Sequence, residues 1–190
     1  MRVGILANTT MTGNRDKRRG HTLLEMLIVV TITGLVATLA LPALYTDSDE
    51  ELDAATSEVV GAIRFAHSEA IRTGVPHGVY ASFGTQQIRI YRLPVPGTPI
   101  YDVYDPLNKQ LYEFDFSASV SDVALDSVYF KFKGFIFPQS YLGFSGGTGL
   151  PKYNDSGTVR MLETAYVRLG YNGAQRTIII SPMTGRVTVQ

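Results

Sequence analysis

From Thr22 to Leu44 the chain reads TLLEMLIVVTITGLVATLALPAL, 23 residues in which Glu25 is the only charge. At 1.5 Å per residue, about 20 apolar residues in a helix span the ~30 Å hydrocarbon core of a bilayer. Arg15, Lys17, Arg18 and Arg19 stand just ahead of the run, with Asp16 the one acid among them. Basic flanks stay cytoplasmic, so the rest of the chain is expected on the other side. A secretory signal peptide has a shorter apolar core followed by a small-residue cleavage site, and this run is too long for one. A plain membrane anchor accounts for length and orientation but not for Glu25. A carboxylate within hydrocarbon costs about 2.5–3.5 kcal/mol on insertion scales, less near the interface, and it marks a function with a named partner.

Composition narrows the classes. The chain has 190 residues and no Cys. That is enough for one domain of ordinary size, and it excludes disulfide scaffolds, zinc–thiolate sites, Fe–S clusters and thiol nucleophiles. The net charge of zero averages two unlike parts: residues 1–20 hold five basic groups and one acid, the remainder 12 and 16. An acidic body argues against a nucleic-acid partner, because phosphate binding needs clustered Lys and Arg.

Arg18-Arg19-Gly20 followed by His21-Thr22-Leu23-Leu24-Glu25-Met26-Leu27 resembles the class III signal of type IV pilins and pseudopilins. The resemblance implies a prepilin peptidase that cuts between Gly20 and His21 and methylates the new amine of His21. Glu25 is then the fifth residue of the mature chain. Gly34 and Pro42 also fall where pilin helices carry a glycine and a proline. The family usually has Phe or Met after the cut, where this chain has His21. Physics gives Glu25 a task. The new amine is a cation at the membrane face, and the Glu25 of an axially displaced neighbour can neutralise it; each charge alone is expensive in apolar surroundings. The leader counted from Met1 has 20 residues; Met11 offers a second start, leaving ten.

The run Asp47-Ser48-Asp49-Glu50-Glu51 lacks the D-x-D-x-D-G spacing of a calcium loop and precedes a helical pattern. It reads as a helix N-cap and first turn, where acids suit the dipole. Leu52, Ala55, Val59, Val60, Ile63, Ala66, Ala70 and Ile71 follow at helical spacing on one face, and Gly74 and Pro76 end the pattern. The two helices could form one rod kinked at Pro42. His67 reads as a half-exposed helix residue, with no acid grouped with His67 or His77 as a ligand set.

After Gly78 the period falls to two. Val79–Phe83 and Gln87–Tyr91 predict a hairpin around Gly84-Thr85. Pro94 to Pro106 predicts a loop. Tyr112, Phe114 and Phe116 alternate, as do Val128, Phe130 and Phe132 against Tyr129, Lys131 and Lys133, and Phe135-Ile136-Phe137 is expected to continue that strand. Thr164–Leu169 and Thr177–Ile180 predict two more. Residues 101–144 hold 12 of the 20 aromatics, which predicts a β-core under the helix. Gly143-Phe144-Ser145-Gly146-Gly147 matches G-x-S-x-G, but a nucleophile elbow needs a helix after its serine. Thr148-Gly149-Leu150-Pro151 cannot start one, and no His follows position 77.

Two segments carry a finer resemblance. Phe65-Ala66-His67-Ser68-Glu69-Ala70-Ile71-Arg72-Thr73-Gly74 resembles the stretch that closes the long helix in the GspH/FimT minor pseudopilins. Arg176–Val189 resembles their closing hairpin, with Pro182 and Gly185 making the turn. Some FimT-type members bind DNA through G-R-x-R here. This chain has Gly185-Arg186-Val187-Thr188, so Arg186 is the single candidate, and it would need Arg160, Arg168 and Arg176 beside it.

The expected fold is therefore α+β: a long N-terminal helix, transmembrane then amphipathic, packed on an antiparallel β-sheet or β-sandwich domain. Residues 1–20 are expected to be a cleaved leader, 21–44 a membrane and assembly helix, and 45–190 a periplasmic domain. The expected role is that of a minor pseudopilin in type II secretion or type IV pilus assembly, anchored in the bacterial inner membrane. Its partners are prepilin peptidase and other pilins or pseudopilins; no enzyme activity, cofactor or metal is expected. The alternatives are a DNA-uptake minor pilin and a major pilin. Residues 94–160 carry no family mark.

Overall fold

The computed structural model describes residues 22–45, 47–94, 98–117, 123–155 and 157–190, with side chains undescribed for 37–48 and 155. The described chain falls into two compact units divided between Leu44 and Tyr45. The expected kink between the helices rests partly on residues outside that description.

The first unit is a helix, α1 (Leu23–Tyr45), helical through Pro42. Its described side chains are apolar on every face and exposed all round, from Leu23 to Val36. A helix with no polar face needs another apolar medium or another helix around it. Among the described residues no helix is long and apolar enough to cross a membrane; the described side chains of α1 end at Val36, so the second half of the apolar run is not part of that statement.

The second unit is built on α2 (Asp47–Thr73). Its acidic run lies within the first turn. Leu52, Val59, Val60, Ala62, Ile63, Ala66 and Ala70 are buried along one stripe. Thr56 is buried with them, its hydroxyl donating to the Leu52 carbonyl at 2.6 Å, so no polar group is stranded. Ile71 departs from expectation: it is 45% exposed, one residue past the last buried position of the stripe.

Two antiparallel sheets meet this stripe. The first has the order β3 (Glu113–Asp115), β2 (Gln87–Arg92), β1 (His77–Ser82), β5 (Tyr141–Phe144). The second has the order β4 (Ala124–Phe132), β7 (Thr158–Tyr171), β8 (Ala174–Ile180), β9 (Val187–Val189), with β6 (Lys152–Asp155) paired to the start of β7. The α+β class is the one the sequence predicts. Alternation decides what each strand buries. Val79 sits opposite Ile90 and Leu142, and Ala81 opposite Ile88, all buried. In the second sheet Val167 is opposite Ile178, and Ala165 lies between Phe130 and Ile180.

The other face of the first sheet is aromatic. Tyr141 lies there 5.0 Å from the Tyr80 ring and 5.7 Å from the Tyr91 ring, and Tyr101 from the loop after β2 packs edge-on against Tyr80 and Tyr91 at 6.2 and 6.3 Å. The loop is held by Arg92, whose guanidinium donates to both carboxylate oxygens of Asp102 at 2.6 and 2.5 Å. Those bonds keep the Asp102 carboxyl below the usual carboxylate range.

One predicted strand is absent. β4 ends at Phe132, and Phe135-Ile136-Phe137 form a turn instead of an extension. Gly134 has φ +86°, a left-handed value that a strand cannot continue through. Ile136 and Phe137 are consequently 83% and 74% exposed.

Candidate functional site

The site the sequence singles out begins at the first turn of α1. Gly20 and His21 lie outside the described residues. Thr22 is the N-cap. Its hydroxyl oxygen accepts from the Glu25 amide at 3.2 Å, and its carbonyl accepts from Met26. Thr22-Leu23-Leu24-Glu25 thus has the S/T-x-x-E spacing of a capping box, with its Thr22 half formed and Glu25 at the third helical position. The signal stood in the sequence, hidden by the apolar residues around it. Its consequence is electrostatic. A helix N-terminus carries partial positive charge, which favours a carboxylate in the first turn and disfavours an amine just ahead of it. Among the described side chains, the polar groups farther along are settled within the helix: Thr31 donates to Leu27 O and Thr33 to Val29 O, both at 2.7 Å. Glu25 is the one charged side chain of α1.

The second candidate, Arg186, is exposed on the turn between β8 and β9. The turn is the expected one: Gly185 has φ +69°, and its N–H donates to Ser181 O at 2.9 Å. His67 of α2 lies so close that a Cβ on Gly185 would stand 3.0 Å from its ring, and its ring meets Phe144 edge-on at 5.1 Å. His67 is thus a half-buried packing residue between helix and hairpin.

The other three arginines do not join Arg186. Arg176 turns to α2, donating to Asp53 at 2.8 Å with Asp49 at 3.7 Å. Arg168 donates to Thr177 at 3.3 Å within the second sheet. Arg160 lies over the Phe135 ring at 4.5 Å and donates to Lys133 O. Eight residues of β7 separate it from Arg168, about 26 Å of strand. Four cations dispersed in this way make no phosphate clamp.

The G-x-S-x-G match has its strand, β5, but not its helix. Ser145 is buried, its N–H donating to Leu150 O, and residues 146–148 form a turn. Near it a cavity of about 300 Å³ is lined by His77, Tyr91, Tyr141, Lys152, Tyr153 and Asn154, among others, with no carboxylate among its lining residues. His77 Nδ1 donates to Val75 O at 2.8 Å, so no acid orients its ring. Burial, with Tyr101, Tyr153 and Tyr141 close by, pushes the Tyr91 phenol far above the ordinary tyrosine range. Neither a nucleophile with an adjacent base nor, among the described residues, a group of three His, Cys, Asp or Glu placed for a metal is present.

Residues 15–41 match the prokaryotic N-terminal methylation motif. This implies an N-terminal hydrophobic anchor. No curated protein matches the chain. Among solved structures, the chain is similar to the type IV minor pilin FimU of Pseudomonas aeruginosa strain PAO1, with 18% identity, a TM-score of 0.45, and coverage of 75% of this chain and 90% of that one. The chain thus carries the prokaryotic N-terminal methylation motif over the head of a capped apolar helix, followed by an α+β domain of one helix on two antiparallel sheets.

Proposed function

We propose that the chain is a minor pseudopilin of the GspH/FimT type, a subunit of the pseudopilus of type II secretion or of a type IV pilus. Prepilin peptidase removes residues 1–20 by cutting between Gly20 and His21, and His21 becomes the methylated N-terminus. Residues 21–44 hold the chain in the inner membrane and then pack into the filament, while residues 45–190 stand in the periplasm. The role is structural: the chain works by binding other pilin-like subunits.

The observation that carries this reading is Glu25 at the third position of a capped, otherwise apolar helix inside the methylation motif. After cleavage the amine of His21 precedes the N-cap by one residue. There the helix dipole opposes it, and a carboxylate from an axially shifted neighbour relieves both that repulsion and the neighbour's own buried charge. The test is the full chain produced with its peptidase. Intact mass should show a chain starting at His21 and carrying one methyl group. Glu25→Leu should remain processed and folded, yet co-purify with partner subunits several-fold less. A different N-terminus, or co-purification equal to wild type, would overturn the assignment.

A further inference from the structure

The cavity between the first sheet and β6 holds a group that the fold itself leaves unused. Gly78 on β1 pairs with Tyr91 on β2 and with Gly143 on β5, so two glycines stand side by side in neighbouring strands. A Cβ on Gly78 would stand 2.5 Å from the Tyr91 hydroxyl, and one on Gly143 3.2 Å from it. The bare backbone lets the phenol cross β1 and bring its hydroxyl toward β5. Tyr91 is 4% exposed, and among the described residues its hydroxyl has no hydrogen-bond partner. A buried hydroxyl left unbonded lowers stability, and phenylalanine would fill the same space without that loss. Tyr91 lines the cavity, so its hydroxyl is available to a molecule bound there.

The other lining residues define that molecule. Burial keeps the Tyr91 phenol protonated, so it is a donor. Lys152 and Asn154 of β6, both half-buried, also line the cavity. Asn154 Oδ1 already accepts from the Gly157 N–H at 3.2 Å, which leaves its amide hydrogens to give. Lys152 has no ion pair among the described residues, and no carboxylate lines the cavity. Three donors with one positive charge match one negative charge; a dianion would carry a second charge that nothing here compensates. Pro76, Leu93 and Pro99 supply apolar walls. The volume of about 300 Å³ is about twice the ~150 Å³ that admits a benzene ring, enough for one ring with a short acidic arm.

We propose that this cavity binds a small monocarboxylate with a flat apolar body, its carboxylate accepting from the Tyr91 hydroxyl and Lys152 and its body lying against Pro76, Leu93 and Pro99. The site is independent of the filament-subunit reading above. The same chemistry is offered by a free aromatic acid and by the C-terminal carboxylate of a chain ending in an aromatic residue.

The test titrates the full-length protein in detergent, by calorimetry, with phenylacetate, its neutral amide and the cation phenylethylamine. The acid should bind saturably, one per chain, the amide several-fold more weakly, and the amine not at all. Tyr91→Phe removes only the hydroxyl. It should leave the urea midpoint at neutral pH at or above that of the wild type, yet weaken the acid about tenfold, as expected for a lost hydrogen bond to a charged group. Lys152→Gln should weaken the acid and erase its advantage over the amide. Uptake into the micelle would respond to neither substitution. A tripeptide ending in phenylalanine separates the two sources: tighter binding than phenylacetate assigns the site to a chain terminus, and weaker binding assigns it to a free acid. No saturable binding of any acid, equal affinity for acid and amide in the wild type, or unchanged affinity in Tyr91→Phe would overturn the proposal.

Discussion

α1 and α2 follow one another in the chain and solve opposite problems. The first is apolar all round, with its described side chains exposed and one carboxylate in its first turn. The second is acidic at its start and apolar along one stripe, which the two sheets cover. A helix that finds its partner within its own chain needs only one apolar face. One that finds it in lipid, and then in other helices, needs all of them, and every polar group on it must be settled locally or held for the partner. Thr31 and Thr33 are settled locally, each donating to a carbonyl of the preceding turn, and Glu25 is the residue to which the proposed function gives a partner.

Equivalent cuts in the two helices should therefore differ most in folding stability. Ile63 is fully buried between α2 and the sheets. Ile63→Ala removes that contact and leaves a cavity, so the loss is expected at about 2–5 kcal/mol. Leu27 of α1 is 60% exposed, and Leu27→Ala should leave the unfolding midpoint of the domain unchanged. Urea unfolding of both variants, followed by tyrosine fluorescence, reads the difference. Equal losses would mean that α1 contributes to the domain's stability and that the two units are not separate in folding.

The sequence announces α2 and both hairpins because each has a local cause. A 3.6-residue stripe leads from Leu52 to Ala70, Gly84-Thr85 sits between two alternating segments, and Pro182 with Gly185 sets the last turn. Its failures have local causes too. Val128, Phe130 and Phe132 alternate and Phe135-Ile136-Phe137 looks like their continuation, but Gly134 between them takes a left-handed φ. β5 is four residues long and contains Gly143, so it carries almost no alternation, and it becomes a strand because β1 pairs with it. The dispersal of the four arginines is a tertiary fact: Arg176 meets Asp53, 123 positions away, and no local pattern reports that. At the candidate site the motif and Glu25 are legible in the sequence, whereas the capping role of Thr22 is masked by the apolar residues around it.

A second difference between the units is chemical. The domain holds buried phenols, whereas the one carboxylate of α1 is Glu25. Burial raises both Tyr91 and Tyr101 well above the ordinary tyrosine range. Up to about pH 10 each is protonated in both the folded and the unfolded chain. Above that the unfolded chain releases protons that the folded one retains, so stability is lost as pH rises, by up to about 1.4 kcal/mol per pH unit for Tyr91 and by less for Tyr101, which solvent reaches. Urea midpoints measured from pH 8 upward should fall beyond pH 10, and Tyr91→Phe should make the fall shallower. An unchanged slope in Tyr91→Phe would mean that its ring reaches solvent.

The smallest effect expected is where Asp49 and Asp53, near the start of α2, meet the sheet. Arg176 donates to Asp53 at 2.8 Å, with Asp49 at 3.7 Å, and both carboxylates are largely exposed. Exposed pairs of this kind contribute about 0–1 kcal/mol, because water already screens them and two long side chains must be held in place. Arg176→Gln keeps most of the side-chain packing and removes the charge. It should lower stability by less than about 1 kcal/mol, and the difference should shrink between ~20 mM and ~500 mM salt as the Debye length shortens. A larger, salt-independent loss would show that packing of the Arg176 stem, and not its charge, fastens the start of α2 to β8. The acidic run would then be free to serve as a surface for another subunit.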